Sequence, residues 1–328
     1  MSTKVRWGIL GTGNIARSFA TGFKALPDAE IVAVGSRSQA TAEKYADMFG
    51  IAKRYASYEA LASDPDVEVI YVSTPHPFHH ENSLLCLEHG KAVLCEKPFA
   101  MSAREAREVI DAARERKLFL MEAMWSRFFP VMVKVRELLA QGTIGDVRML
   151  SADFGFRAEV DPSSRLFDLR LGGGALLDVG VYPVALASMI FGPPADIQTK
   201  AHLGKTGVDE QAAMIFSYAD GALALLSTAI TLDTPQVATI IGTEGSIQLH
   251  SPWWKPEALL TLTRAGAEPE RIDVPYEGNG YNYEAAAVGR ALRAGRTEEE
   301  TMPLDETLQI VKTMDSIRSM WGLRYPTD

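Results

Sequence analysis

The chain has 328 residues, 47% hydrophobic and 23% charged, with a net charge of −9. That length exceeds what one small core needs and points to two domains, and the acidic balance excludes a nucleic-acid surface, which must be basic to meet phosphate. No run reaches the length of a membrane span, Met1-Ser2-Thr3-Lys4 leads into a strand pattern without a signal-type apolar region, and the two cysteines, Cys86 and Cys95, read as reduced core thiols of a cytoplasmic protein.

Lys4 to Leu10 is a predicted strand and Ile15 to Ala25 a helix ended by Leu26-Pro27. Glu30 to Gly35 is a second strand, Thr41 to Phe49 a helix stopped by Gly50, Val67 to Ser73 a buried strand, and Phe78 to His89 a helix closed by Gly90. Ala92 to Cys95 is a further strand. Ser102, with Glu105 three residues on, forms a capping box for a helix running to about Lys117, and Leu118 to Met121 is a strand. Strand-helix alternation at this spacing means right-handed crossovers and a parallel sheet. The texture changes after Trp125-Ser126-Arg127-Phe128-Phe129-Pro130. A helix is expected over 131–141, then strands with two-residue alternation at 147–156, 197–203, 211–218, 221–230, 237–242, 246–249 and 259–263, and closing helices at 282–293 and 304–321. The pattern divides an α/β protein into 1–122, a dinucleotide-type domain, and 123–328, an α/β domain for substrate and oligomerisation. The last helix is a candidate to pack back on the first domain. The six histidines are scattered, and no His/Cys/Asp grouping has metal-ligand spacing.

Gly11-Thr12-Gly13-Asn14-Ile15-Ala16 follows a strand and opens a helix. Gly11 permits a tight turn, Gly13 lets backbone approach a pyrophosphate, and Ala16 keeps the helix close to the sheet. The helix N-terminus presents free N–H groups to the phosphates, so Gly11, Thr12, Gly13, Asn14 and Ile15 form the expected cofactor loop. The second strand ends in Gly35-Ser36-Arg37-Ser38, with no carboxylate for the ribose 2′-hydroxyl of NAD. Ser36 and Ser38 offer hydroxyls, and Arg37 offers a cation and a flat face for adenine. A charge-assisted hydrogen bond contributes about 1.5–3 kcal/mol, enough to favour NADP over NAD. With Arg37 merely stacked on adenine, either cofactor binds.

Together with Ser73-Thr74-Pro75-His76-Pro77-Phe78-His79, Glu96-Lys97-Pro98 and Gly172-Gly173-Gly174-Ala175-Leu176-Leu177-Asp178-Val179-Gly180, this loop resembles the Gfo/Idh/MocA oxidoreductases over nearly the whole chain. The run Met121 to Pro130 is similar to the branch of dimeric trans-dihydrodiol dehydrogenases and NADP-dependent D-xylose 1-dehydrogenases. The resemblance implies a Rossmann domain followed by an α/β domain with a large, mostly antiparallel, open-faced sheet. In relatives that face packs against a second subunit, which implies a homodimer or higher homo-oligomer. It also implies that Thr74, Pro75 and His79 border the nicotinamide and that Glu96 and Lys97 lie under or beside the ring, while His76, between Pro75 and Pro77, reads as part of the loop above it. His79 has the alternative of being satisfied by backbone.

Oxidising a hydroxylated carbon needs a base for the hydroxyl proton. Many family members carry histidine four residues after the motif aspartate. Here Asp178 is followed at that position by Tyr182, matching the branch in which a lysine and a tyrosine serve. A free tyrosine, with a pKa of about 10, is handicapped by about 4 kcal/mol as a base at pH 7. A cation about 4 Å away supplies about as much at an effective dielectric near 20. Tyr182 is thus the expected proton acceptor, tuned by Lys97; the reverse, a neutral Lys97 as base, stands beside it. Asp178 suits two neighbouring hydroxyls, or else caps the helix after the three glycines. Trp125, Phe154 and Phe156 are candidates for an apolar wall beside a ring-shaped substrate, or for packing within the core or a subunit interface. Arg127, Arg157, Arg165 and Arg170 are candidates for its polar rim, or for surface ion pairs. Trp253 and Trp254 read as interface or core. The expected activity is NADP-dependent hydride transfer with a small molecule, a cyclic sugar, polyol or trans-diol. Ketone or anhydro-sugar reduction and a non-catalytic NADP-binding sensor are the alternatives.

Overall fold

A computed structural model describes residues 4–328, and the reading of Met1-Ser2-Thr3 lies outside them. The chain forms two compact units. One runs to Phe128 and takes in Glu277–Leu308; the other comprises Phe129–Tyr276 and Gln309–Asp328. The helices are α1 (Asn14–Gly22), α2 (Gln39–Phe49), α3 (Tyr58–Ala62), α4 (His79–Glu88), α5 (Ala103–Arg116), α6 (Pro130–Ala140), α7 (Val181–Phe191), α8 (Tyr281–Arg293) and α9 (Leu304–Met320).

The first unit is built on strands β1 (Val5–Leu10), β2 (Ala29–Gly35), β3 (Lys53–Tyr55), β4 (Val69–Val72), β5 (Ala92–Glu96) and β6 (Leu120–Ala123). They lie in the order β3-β2-β1-β4-β5-β6, and each adjacent pair is parallel. The order reverses between β1 and β4, the switch point outside whose carboxyl ends a doubly wound sheet takes its ligand. β4 and β5 are buried along their whole length, as strands covered on both faces must be, which is why they read as continuous apolar runs. The β3 and α3 segments went unpredicted because each is too short to show a period. The Ser102 hydroxyl does accept from the Glu105 N–H at 3.3 Å. The Glu105 carboxylate returns to the Met101 N–H at 3.1 Å, one residue further back than in the expected box.

The second unit carries β7 (Val147–Gly155), β8 (Asp196–Leu203), β9 (Asp209–Ser217), β10 (Leu223–Ala229), β11 (Ala238–Gly242), β12 (Gly245–Leu249), β13 (Leu260–Arg264) and β14 (Glu270–Ile272). Their order is β14-β13-β12-β11-β7-β10-β9-β8. All pairs are antiparallel except β7 with β10. The α/β class, with a parallel sheet and a larger, mostly antiparallel one, is the architecture the pattern led us to expect. β9 alternates buried and exposed positions, so one sheet face is inward and the other open. The inward face packs on α7, which is apolar all round and buried from Val181 to Ala187. One expectation is corrected here. The helical stretch Leu169–Phe191 does reach membrane-span length, with mean hydropathy 1.7, and 78% of its most apolar window is buried inside the protein as a core helix.

Candidate active site

Gly11 ends the β1 turn at φ +101, a conformation that only glycine adopts freely, and a Cβ there would meet the Ser73 carbonyl at 3.1 Å. Gly13 is different. Its φ is −72 and a Cβ would find no atom within 4 Å, so neither backbone nor packing requires glycine. Among the described glycines it alone combines an ordinary φ with an open Cβ position. It caps α1 without a side chain, leaving the first N–H groups of the helix without a side-chain acceptor. A smooth, donor-rich surface of this kind fits a pyrophosphate. Ala16 is fully buried and its carbonyl accepts from the Tyr45 hydroxyl at 2.6 Å, which fixes α1 against α2.

At the end of β2, Ser36 is buried and hydrogen-bonded to the Thr41 hydroxyl. The Ser38 hydroxyl accepts the Thr41 N–H at 3.3 Å as the cap of α2. Arg37 is exposed, and its guanidinium lies by the Tyr58 hydroxyl, whose pKa burial raises and Arg37 pulls back. Arg37 is therefore the cation available at this strand end, with the two serines shaping the turn.

Beyond β4, the His79 ring nitrogens lie 2.8 Å from the Thr74 carbonyl and 2.8 Å from the Pro98 carbonyl. His79 thereby ties the Thr74-Pro75-His76 loop to the Glu96-Lys97-Pro98 turn, the backbone-satisfied alternative. His76 packs edge-on against it at 5.8 Å. Asn82 donates to the Thr74 hydroxyl at 3.3 Å. The Glu96 carboxylate accepts from the Tyr71 hydroxyl and from the Lys97 N–H at 3.1 Å. Lys97 is half-buried, next to this buried anion site. Sequence reasoning missed Glu284 on α8. It is fully buried, neither oxygen has a hydrogen-bond partner among the described residues, and burial, then the Glu96 charge, pushes its carboxyl far above the usual range. No motif surrounds it, so only the packing of α8 reveals it.

In the second unit Asp178 lies in a π-helical turn, Leu176–Gly180, and Tyr182 is the second residue of α7, which follows directly. Such turns are often found at functional sites. The Asp178 carboxylate is buried and pairs with Arg165 at 2.8 Å, which singles out Arg165 among the four candidate arginines. Arg170 pairs instead with Asp168 of its own loop at 2.7 Å. The Tyr182 ring sits 5.3 Å from Phe154 and 6.0 Å from Trp254, and Phe154 stacks on Trp254 at 4.2 Å and 12°. Trp254, assigned from sequence to interface or core, thus joins Phe154 in an aromatic wall beside the phenol. The Trp254 indole N–H donates to Gln236 at 3.0 Å and locks the ring in place.

Residues 5–124 match the oxidoreductase family with an NAD-binding Rossmann fold, and residues 132–248 match the C-terminal domain of the same family. The chain belongs to the Gfo/Idh/MocA oxidoreductase family. It is 41% identical over 331 residues to a mouse trans-1,2-dihydrobenzene-1,2-diol dehydrogenase, with 99% of each chain covered. It is 39% identical over 338 residues to the Xenopus tropicalis protein of that name, covering 99% of this chain and all of the relative. A solved 3-ketoreductase from Actinomadura kijaniata, in complex with NADP and TDP-benzene, superposes with a TM-score of 0.85 at 26% identity over 97% of this chain and 98% of its own. An aldose-aldose oxidoreductase from Caulobacter crescentus shares the fold, with a TM-score of 0.90 at 23% identity over 98% of each chain.

The protein is thus an NAD(P)-binding dehydrogenase of the Gfo/Idh/MocA family, and its remaining site candidates divide. Trp125 stacks on Tyr281 of α8 at 4.2 Å and 14°, within the first unit. Arg127 is corrected from rim to strut: it is 3% exposed and pairs with Glu306 at 2.6 Å. An arginine in a run of apolar residues has no polar face to sit on, so it is buried with a carboxylate partner. Phe156 lies just past the end of β7, where its N–H still bonds to the Ala229 carbonyl at 3.1 Å, and it is half-buried where Phe154 is buried.

Proposed function

We propose that this family member is an NADP-dependent dehydrogenase that oxidises a secondary hydroxyl of a cyclic trans-diol or sugar. The observation that carries the reading is the grouping on the second unit: a phenol, Tyr182, beside the flat Phe154–Trp254 wall, with the Asp178–Arg165 pair on the turn leading into the same helix. An aromatic wall receives the face of a ring, and a carboxylate accepts hydrogen bonds from adjacent hydroxyls. The names of the full-length relatives support the diol class. Tyr182 takes the hydroxyl proton and Asp178 orients the neighbouring hydroxyl, while Lys97 belongs with Glu96 to the nicotinamide side of the first unit. The bound nicotinamide supplies the hydride acceptor. Gly11 to Ile15 hold the pyrophosphate, Arg37 the 2′-phosphate, and the Thr74 to His79 loop with Glu96 lines the nicotinamide side.

The open sheet face supports a homodimer. Ile215, Leu225 and Ile241 are exposed there. Ile215 pairs with Leu225 across one ladder, and Met149 joins Leu223 to Ile241 across two more. A contiguous apolar row on a sheet of this size is covered most simply by the same face of a second copy. The two free, buried cysteines agree with a cytoplasmic setting.

A substrate panel tests the activity. Absorbance of the reduced nicotinamide is followed with NADP+ and NAD+ over trans-dihydrodiols, aldoses and inositols. Turnover of a trans-diol or cyclic sugar, faster with NADP+, is expected. Tight cofactor binding with no turnover of any member overturns the dehydrogenase reading in favour of a sensor. Sedimentation of the protein at micromolar concentration as a monomer overturns the dimer.

A further inference from the structure

Asp209, at the start of β9, is fully buried and belongs to none of the motifs. Its Oδ2 accepts the Leu176 N–H at 2.7 Å. Leu176 opens the π-helical turn that carries Asp178 and runs into Tyr182, and the N–H groups at such a start have no partner within the helix. The residue preceding the turn, Ala175, provides no side-chain cap. The cap comes instead from a strand 33 residues away in sequence. Asp209 Oδ1 has no hydrogen-bond partner among the described residues, and it lies 2.1 Å from where a Cβ on Gly174 would be. With φ +115 at the same residue, this contact explains the third glycine of the motif: the carboxylate and the turn meet across it.

We propose that Asp209 is a positioning residue for hydride transfer, its carboxylate holding in place the turn that carries Asp178 and Tyr182. The inference rests on the reading above that these two residues serve the substrate.

The cap is proton-sensitive. Burial raises the Asp209 carboxyl from 3.8 to about 7, against the Leu176 N–H and, more weakly, the nearby backbone N–H groups of Asp209 and Ala175, which lower it. The ionisable neighbours are few. Tyr325, whose hydroxyl donates to the Gly173 carbonyl at 2.9 Å, is itself raised by burial and by Asp209. Arg318 sits over the Tyr325 ring at 5.4 Å and pairs with Asp315 and Asp328. On the turn, Asp178 is paired with Arg165. As pH rises through about 7 the cap becomes an anion, and its hydrogen bond to Leu176 becomes charge-assisted, roughly twice as strong as a neutral one. The same ionisation destabilises the fold as a whole, because a raised native pKa means stability is lost as pH climbs from the unfolded value to the native one.

Hydrogen exchange of amides 175–182 and the pH profile of turnover, measured on the NADP-loaded wild type and on Asp209→Asn, test this. In the wild type, protection of 175–182 should rise by about tenfold from pH 6 to 8, after correction for intrinsic exchange, relative to β7 amides. In D209N that rise should vanish, and kcat above pH 7 should fall about tenfold while the KM for NADP holds. Wild-type protection that is flat between pH 6 and 8, or a D209N pH profile identical to wild type, overturns the proposal. A wild type that turns over no substrate refutes the dehydrogenase reading alone, since the exchange data still decide the role of Asp209.

Discussion

In the first unit β4 and β5 are buried on both faces and the functional segments hang from the ends of neighbouring parallel strands. In the second unit β9 alternates in and out, and the chemistry is gathered from strands, loops and a helix far apart in the chain. The first arrangement suits recognition through backbone, for which contiguous, small residues suffice. The second works through side chains that meet only after packing. The same residue type shows the contrast. Gly13 has an ordinary φ and open space, so the fold makes no demand for glycine there; Gly174 has a positive φ and a carboxylate oxygen at 2.1 Å from its Cβ position, so its requirement comes from the fold.

The largest expected effect probes the side-chain chemistry. Tyr182→Phe should lower kcat by about 10²–10⁴ with the fold intact, and a loss below about threefold would remove Tyr182 as the base. Next, Gly13→Val should weaken NADP binding by about a hundredfold or more, with a melting temperature close to wild type. An equal loss of stability would erase the contrast between the two glycines. Gly174→Ala should do the reverse, costing about 2–3 kcal/mol in urea unfolding with cofactor affinity little changed. An unshifted midpoint would mean that the Asp209 contact relaxes at no cost. The smallest effect is at Arg37. Its replacement by Ala should weaken NADP about tenfold and leave NAD nearly unaffected in titration calorimetry. Equal weakening of both would assign the guanidinium to adenine stacking.

Buried ionisable groups add a pH signature to the first unit. Burial raises the Glu122 carboxyl from 4.5 to about 7, with Phe99 N–H, Thr307 and Arg127 holding it down. Because the native pKa is raised, its stabilising contribution is present below about 4.5 and is lost as pH climbs to about 7, to the extent of about 3 kcal/mol. Glu122→Gln should therefore flatten the fall in melting temperature between pH 5 and 8; an unchanged slope would assign that fall to other groups.

The sequence by itself determined the α/β class, a parallel sheet in the first unit and the strand–glycine loop–helix segment, and it offered Lys97, Asp178 and Tyr182 as candidates. Period, turn chemistry and short motifs are local, and backbone recognition needs nothing more. It did not reveal that Arg127 is buried with Glu306, that Trp254 rather than Phe156 partners Phe154, that Arg165 is the arginine on Asp178, or that Asp209 and Glu284 are buried carboxylates. Those facts were decided by tertiary structure. A charge or a ring on a strand carries no sign of its partner until two distant segments pack, and burial, which changes the energy of each of these groups most, is a property of the whole unit.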